Sequence, residues 1–172
     1  MKKIILNLLF LSLVFLTSGC ANRQQIGMPN PWEEFQTSKE ASKKAGFDFP
    51  LQLENVKYRA AKGIIEAQYK IDNNRTIILR KAETPTKIQG RDDISGIYEN
   101  YPINEEYTLK NGVKMFIRGE KNKVFVANMS AEDGYFSAYS ENGMTKEELE
   151  KIYNIFLEAH NKLFEEYYKE MP

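Results

Sequence analysis

The chain of 172 residues is short of most of the groups from which reactive sites are built. It has one cysteine, Cys20, so no disulfide forms within it and a zinc site of several cysteines is excluded. It has one histidine, His160, so the paired histidines of an H-E-x-x-H metalloprotease motif are absent. No glycine-rich loop with the phosphate-cradling spacing occurs. Neither sign of charge dominates: 24 basic and 24 acidic residues cancel, which removes the electrostatic case for nucleic acid. The longest apolar stretch, Ile4 to Leu16, is shorter than the ~20 residues that a membrane-spanning helix needs.

What is present begins at the N-terminus. Lys2 and Lys3 precede the apolar stretch, which only Asn7 and Ser12 interrupt, and Thr17-Ser18-Gly19-Cys20 follows. A basic start, an apolar middle and small residues at the end are the parts of a secretory signal. Ser18, Gly19 and Cys20 place this segment in resemblance to bacterial lipoprotein signal peptides, with Thr17 where leucine is commonest. The resemblance implies a thioether-linked diacylglyceryl group on Cys20 and cleavage between Gly19 and Cys20. Two or more acyl chains suffice for stable anchoring, which gives a lipid-anchored protein on the extracytoplasmic face of a cell membrane. An ordinary secretory cut would leave Cys20 as a lone free thiol outside the cytoplasm, an odd arrangement. Loss of residues 1–19 removes Lys2 and Lys3 and leaves a net charge of −2.

Residues 20–31 read as the lipidated cysteine and a flexible tether, with Gly27, Pro29 and Pro31 among mostly polar residues. Residues 32–172 have the length of a single domain. Trp32 suits a ligand platform or a membrane-interface anchor; burial of Trp32 and Phe35 to pin the domain's start is the preferred reading. Thr37-Ser38-Lys39-Glu40 is a capping box for a short helix ending at Ala45, with Gly46 closing it. Residues 56–82 read as β structure. Ile65, Ala67, Tyr69 and Ile71 alternate with polar residues and form a half-buried strand. A loop of Asp72 to Asn74, with Asn74 left-handed, sets Tyr69 opposite Ile77 and Ala67 opposite Leu79; a one-residue slip would turn the apolar set outward.

Glu83 to Gly96 is a polar excursion, long enough to carry function. Ile97 to Pro102 reads as an edge strand. Asn111-Gly112 marks a hairpin between 107–110 and 113–118. Lys121-Asn122 leads into a strand from Val124 to Met129. Asp133-Gly134 is a second two-residue hairpin signal, pairing Met129 with Ala138 and Ala131 with Phe136 and leaving Tyr135 and Tyr139 on the opposite face. Thr145-Lys146-Glu147-Glu148 is a second capping box, and an apolar stripe from Leu149 to Tyr167 continues a helix from Lys146 to about Lys169. The expected fold is α+β: an antiparallel sheet of about five to seven strands, with the short N-terminal and long C-terminal helices packed on one face.

The order of short motifs from Asn30 to about Ile155 is similar to an uncharacterised extracytoplasmic domain family of clostridial lipoproteins and membrane-anchored proteins related to anti-sigma factors. The carrying residues are Asn30-Pro31-Trp32, Ala45-Gly46-Phe47, Ile78 to Ala82, Asp93 to Tyr98, Tyr135 to Ser140 and Thr145. Val126 to Met129 stands where that family tends to have a tryptophan-containing strand, so no aromatic binding role is carried to it. The resemblance implies no activity, catalytic residue or cofactor.

Candidate sites are few. His160 lies on the helical stripe, where a hydrogen-bonded boundary residue is the expected role rather than metal binding or catalysis. Asp92-Asp93 lacks the ligand spacing of a calcium loop. Glu99 with Asp92 or Asp93 would serve a carboxylate hydrolase only if they converge in space. No metal or cofactor is implied. The first expectation is a non-enzymatic binding or accessory module for a protein, peptide or envelope component, reached through strand 135–139 or loop 83–96 and held to the membrane through Cys20. The alternatives are a carrier or sensor with an apolar ligand between sheet and helix, and a hydrolase using carboxylates.

Overall fold

In the computed structural model the chain is described over residues 30–49, 56–72, 74–131 and 133–169, with side chains through residue 162. The signal, Gly19 and Cys20, and most of the tether lie outside the described residues.

Alternation of apolar and polar residues builds an eight-stranded antiparallel sheet. The strands are β1 (Glu33–Phe35), β2 (Lys57–Ala61), β3 (Ile64–Lys70), β4 (Thr76–Ala82), β7 (Ile103–Thr108), β8 (Lys114–Glu120), β9 (Lys123–Ala131) and β10 (Gly134–Met144). Their order is β1-β2-β3-β4-β10-β9-β8-β7. Two further strands, β5 (Thr86–Ile88) and β6 (Arg91–Asp93), form a separate hairpin. Helix α1 (Ser38–Ala45) follows β1, and helix α2 (Lys146–Lys169) follows β10. The expected α+β architecture with an antiparallel sheet is present.

The second capping box closes in both directions and the first in one, since the Glu40 carboxylate accepts from the Thr37 hydroxyl rather than from its amide. The Glu40 amide donates to Thr37 Oγ1, and Gly46 ends α1 at φ +94°. The Glu148 amide donates to Thr145 Oγ1 at 3.1 Å while the Thr145 amide donates to the Glu148 carboxylate at 2.9 Å.

One face of the sheet is apolar along a single cross-strand row: Phe35, Tyr58, Ala67, Leu79, Ala138, Ala127 and Ile117 are successive register partners. They belong to one core cluster with Ala41 and Ala45 of α1 and Leu149, Ile152, Tyr153 and Phe156 of α2. Phe156 meets Phe136 edge-on at 4.3 Å and Phe49 at 6.0 Å. Each large aliphatic or aromatic side chain so buried contributes roughly 1.5–3 kcal/mol. Phe35 packs against this cluster as expected, whereas Trp32 is half-buried with the Arg59 and Arg80 guanidinium groups 5.4 and 5.7 Å from its ring. The continuation of the α2 stripe at Leu163, Tyr167 and Tyr168 lies outside the described side chains.

The register read for the β3–β4 hairpin is the observed one, Tyr69 opposite Ile77 and Ala67 opposite Leu79. The expectation for Asn74 turns on its neighbour Asn73, which is outside the described residues. Five expectations need correction. The sheet has eight strands rather than about five to seven. The polar excursion 83–96 contains the β5–β6 hairpin, whose Gln89-Gly90 turn has positive φ at both residues, the backbone of a type I′ turn. Residues 97–102 are not a strand; the strand begins at Ile103. The Asn111-Gly112 hairpin has three loop residues rather than two, because Leu109 faces Val113 and Tyr107 pairs with Met115. A two-residue loop would have set buried Leu109 against Lys114. At the other hairpin, Phe136 pairs with Met129 and Ala138 with Ala127, two places from the expected register. A two-place shift keeps every side chain on its face, so alternation cannot detect it. Gly134 starts the strand instead of ending the turn: a Cβ there would stand 2.8 Å from the Ala82 carbonyl oxygen.

Candidate functional site

The second face of the sheet is polar, and that polarity is also organised as a row. Glu34, Arg59, Glu66, Arg80, Ser137, Asn128, Phe116 and Glu106 are successive register partners, one from each strand. The centre of this row is not solvated. Glu66 is 0% exposed, Ser137 4% and Asn128 5%. Segment 93–99 lies over it.

Glu66 is the first node. It accepts from Arg80 Nε at 2.8 Å, Arg59 Nε at 3.0 Å and Gln68 Nε2 at 3.1 Å. Burial pushes its carboxyl up, but the bonds from Gln68, Arg80 and Arg59 outweigh that and hold it below the usual glutamate range. Arg80 in turn donates to the Ile94 and Ser95 carbonyl oxygens, which ties the covering segment to β4. Gly96 has φ +69°, which favours glycine, and a Cβ there would stand 2.9 Å from Arg80 Nη1 and push that guanidinium aside.

Arg118 is the second node, 2% exposed on β8. Its Nη2 donates to Asp93 Oδ2 and to the Ile97 carbonyl, each at 2.8 Å, and its Nη1 to the Glu99 carbonyl at 3.3 Å. Asp93 also accepts from Asn128 Nδ2 at 2.8 Å and from the Ser95 amide and hydroxyl at 2.6 Å. A buried aspartate satisfied four times and a buried arginine thus fasten the segment to β8 and β9.

The covering segment divides the open part of this face in two. On one side is a groove of about 360 Å³, floored by Phe116, Ser130 and Tyr135 and walled by Arg91, whose guanidinium lies 3.8 Å from the Phe116 ring centre. Its Lys87 and Lys114 are already paired with Asp92 and Glu106. On the other side is an aromatic edge. Tyr98 is 71% exposed, the one exposed large apolar side chain among the described residues. The Tyr101 ring stacks on Phe125 at 4.9 Å and 12°, at the residue where the β8–β9 register shifts. Tyr101 donates to Glu99 at 2.8 Å; burial and then this bond push its hydroxyl up to about 12. Tyr139 is half-buried nearby, raised by burial and then by the charges of Glu141 and Glu99.

The acids singled out in the sequence do not converge. Asp92 is exposed and paired with Lys87, Asp93 is buried on Arg118, and Glu99 is exposed with Tyr101 as its partner. His160 is half-buried on α2, with Nδ1 3.8 Å from Asp133. Among the described residues no group of three or more histidine, cysteine or acidic side chains is placed to hold a metal ion. The gap at the sheet–α2 contact is about 30 Å³, the room of a water molecule and not of a ligand. No helix among the described residues is long and apolar enough to cross a membrane.

The residues that sequence reasoning passed over are Arg59, Glu66, Arg80, Arg118 and Asn128. Each occupies a polar position of an alternating strand, which reads as solvent-facing. The signal for one node was available: the register of Ala67 on Leu79 already sets Glu66 opposite Arg80. Comparison with protein-family models, curated proteins and solved structures finds no match.

Proposed function

We propose that the protein is a non-enzymatic, lipid-anchored extracytoplasmic binding module. In this reading Cys20 carries the anchor, both helices occupy one face of the sheet, and the other face is presented to a protein partner. The resemblance to the uncharacterised extracytoplasmic domain family belongs to the same proposal. The observation that carries it is the aromatic edge, where exposed Tyr98 and the half-buried stack of Tyr101 on Phe125 adjoin a segment that buried Arg118 fastens to the sheet. Exposed aromatics on a rigid support are what a protein interface uses as anchors, since they bury much area at little cost in side-chain entropy. Among the described residues, the gap between sheet and helix, about 30 Å³, is too small for the ligand of a carrier. The acids on which a carboxylate hydrolase was read do not pair, because Asp92, Asp93 and Glu99 are separately engaged.

A photoreactive amino acid at Tyr98 in the full-length protein, irradiated in its native envelope, tests the binding face. One dominant protein adduct is the expected result; absence of any adduct at Tyr98 and at a second probe replacing Tyr101 refutes it. Metabolic labelling with an alkyne fatty acid tests the anchor. Label is expected on the wild type and not on Cys20→Ala.

A further inference from the structure

We propose that Asn111, at the tip of the β7–β8 hairpin, is a modification site: its side-chain amide is converted to an acid through attack by the Gly112 nitrogen, while the fold protects the same dipeptide at Asn142-Gly143. The inference does not rest on the binding-module reading.

The sequence holds two Asn-Gly pairs, at 111–112 and 142–143. In such a pair the main-chain nitrogen of the glycine can close a succinimide ring on the asparagine side chain, because no Cβ hinders its approach. The conversion needs water alone. Gly112 N gives its proton to water and bonds to Asn111 Cγ, the Cγ–Nδ2 bond breaks, and Nδ2 leaves as ammonia. Water then opens the ring, at Cγ to leave aspartate or at the main-chain carbonyl carbon to leave isoaspartate.

The two pairs differ in what holds them. Asn111 and Gly112 are both exposed. Their bonds are local: the Gly112 amide donates to the Leu109 carbonyl at 2.9 Å, and the Val113 amide donates to Asn111 Oδ1 at 3.2 Å. The first bond must open before the ring closes, and an exposed turn opens at little cost. The second favours the reaction, since negative charge develops on Oδ1 as the nitrogen attacks and the Val113 amide is already aimed at it. At the other pair Gly143 is buried, with the Lys123 side chain beside it. Asn142 Nδ2, the group that would leave, donates to the Asn74 carbonyl at 3.3 Å, a contact between residues 68 apart in sequence. Ring closure there has to part segments that the tertiary fold holds together.

The products also differ. Aspartate at position 111 keeps an acceptor for the Val113 amide. Isoaspartate routes the main chain through Cγ and lengthens it by a methylene, which does not fit the three-residue loop that Leu109 and Val113 close at 2.8 Å. The Lys110 amide, which donates to Glu150 of α2 at 3.0 Å, lies in that loop.

The test warms the full-length protein in detergent micelles at mildly alkaline pH, folded and in denaturing urea. Mass spectrometry of proteolytic peptides follows the two pairs separately, and an isoaspartyl methyltransferase label counts isoaspartate. In the folded protein Asn111 is expected to convert at least about tenfold faster than Asn142, a barrier difference of about 1.4 kcal/mol. In urea the two rates are expected to converge. Asn142 keeping pace with Asn111 in the folded protein overturns the inference, as does absence of product at Asn111 over a time in which the urea-treated chain converts. The same gap persisting in urea also overturns it, because flanking residues rather than the fold would then set the rates.

Discussion

Removing Asp93 is the sharpest perturbation of the network that covers the second face. Asp93→Ala deletes four hydrogen bonds at once: those from Arg118 and Asn128 at 2.8 Å and two from Ser95 at 2.6 Å. Arg118 keeps its carbonyl partners but loses its only carboxylate while remaining 2% exposed. Breaking a buried ion pair from one side costs ~3–5 kcal/mol, since the charge left behind has no compensation. The orphaned Asn128 amide adds ~1–3 kcal/mol if it stays dry. Release of segment 93–99, which lets water reach Arg118, sets the ceiling on these sums, because local opening competes with carrying an unpaired charge. The net expectation is a loss of about 3 kcal/mol by urea unfolding, or a midpoint temperature lower by roughly 6–12 °C for a domain of this size. Deleting both charges is expected to be milder: Asp93→Ala/Arg118→Met should regain about half of the loss. Hydrogen exchange at the Ile97 amide, which donates to Ser95 Oγ at 3.1 Å, reports whether the segment has opened. An Asp93→Ala loss below about 1 kcal/mol, with the Ile97 amide still protected, refutes the assignment of Asp93 and Arg118 as the fastening of this segment. A double variant as unstable as the sum of its singles refutes the coupling.

Two further perturbations separate the nodes. Glu66 is held ionised below the usual glutamate range, so its contribution is full above the unfolded pKa of about 4.3 and is lost as pH falls through the lower folded value. Stability of the wild type is therefore expected to drop more steeply below about pH 4 than that of Glu66→Gln, measured by urea midpoints across acid pH; parallel curves exclude Glu66 as the titrating group. Gly119 is the tightest glycine, since a Cβ there would stand 2.0 Å from the Lys123 carbonyl oxygen. Gly119→Ala should cost about 2–3 kcal/mol by forcing apart the strands at the β8–β9 irregularity, and a loss under about 0.5 kcal/mol in the same unfolding assay would show that the strands yield freely.

The apolar half of this structure was legible because its logic is local. Alternation placed Ile65, Ala67, Ile77 and Leu79 on the core face and fixed the β3–β4 register, since a one-place slip would have exposed all of them. The same test was open at Leu109, where only a three-residue loop keeps Leu109 and Met115 together on the core side, but the Asn-Gly dipeptide, which favours a two-residue turn, led to the wrong loop. The register at Phe136 was beyond that test, because both alternatives bury the same side chains. The candidate site was harder still. A polar residue in a strand reads as solvated, and whether a loop folds back over it depends on contacts between positions 25 and 35 residues apart, such as Asp93 with Arg118 and Asn128. The aromatic edge was half seen: Tyr139 was on the expected face, but Phe125 joins it only through a break in the ladder that no periodicity announces.

The arrangement of the two faces bears on how a binding surface is kept in place. Apolar side chains alone would have fastened segment 93–99 at lower desolvation cost, since buried ion pairs are often no more stabilising than the apolar residues that replace them. What the charged network supplies is direction. Arg118 meets the carbonyl groups of Ile97 and Glu99 and the carboxylate of Asp93, and each of these bonds has a preferred distance and angle. An apolar patch would tolerate sliding of the segment by a residue; this set of donors and acceptors does not, because a slip leaves buried groups unpaired. The consequence falls on the residues between the fixed points. Tyr98 lies between two carbonyl groups held by one buried guanidinium, and Tyr101 follows two places later against Phe125. A short exposed segment with no strand of its own is thereby tied to the sheet at several points, and each tie lowers the entropy that its exposed rings would lose on binding a partner.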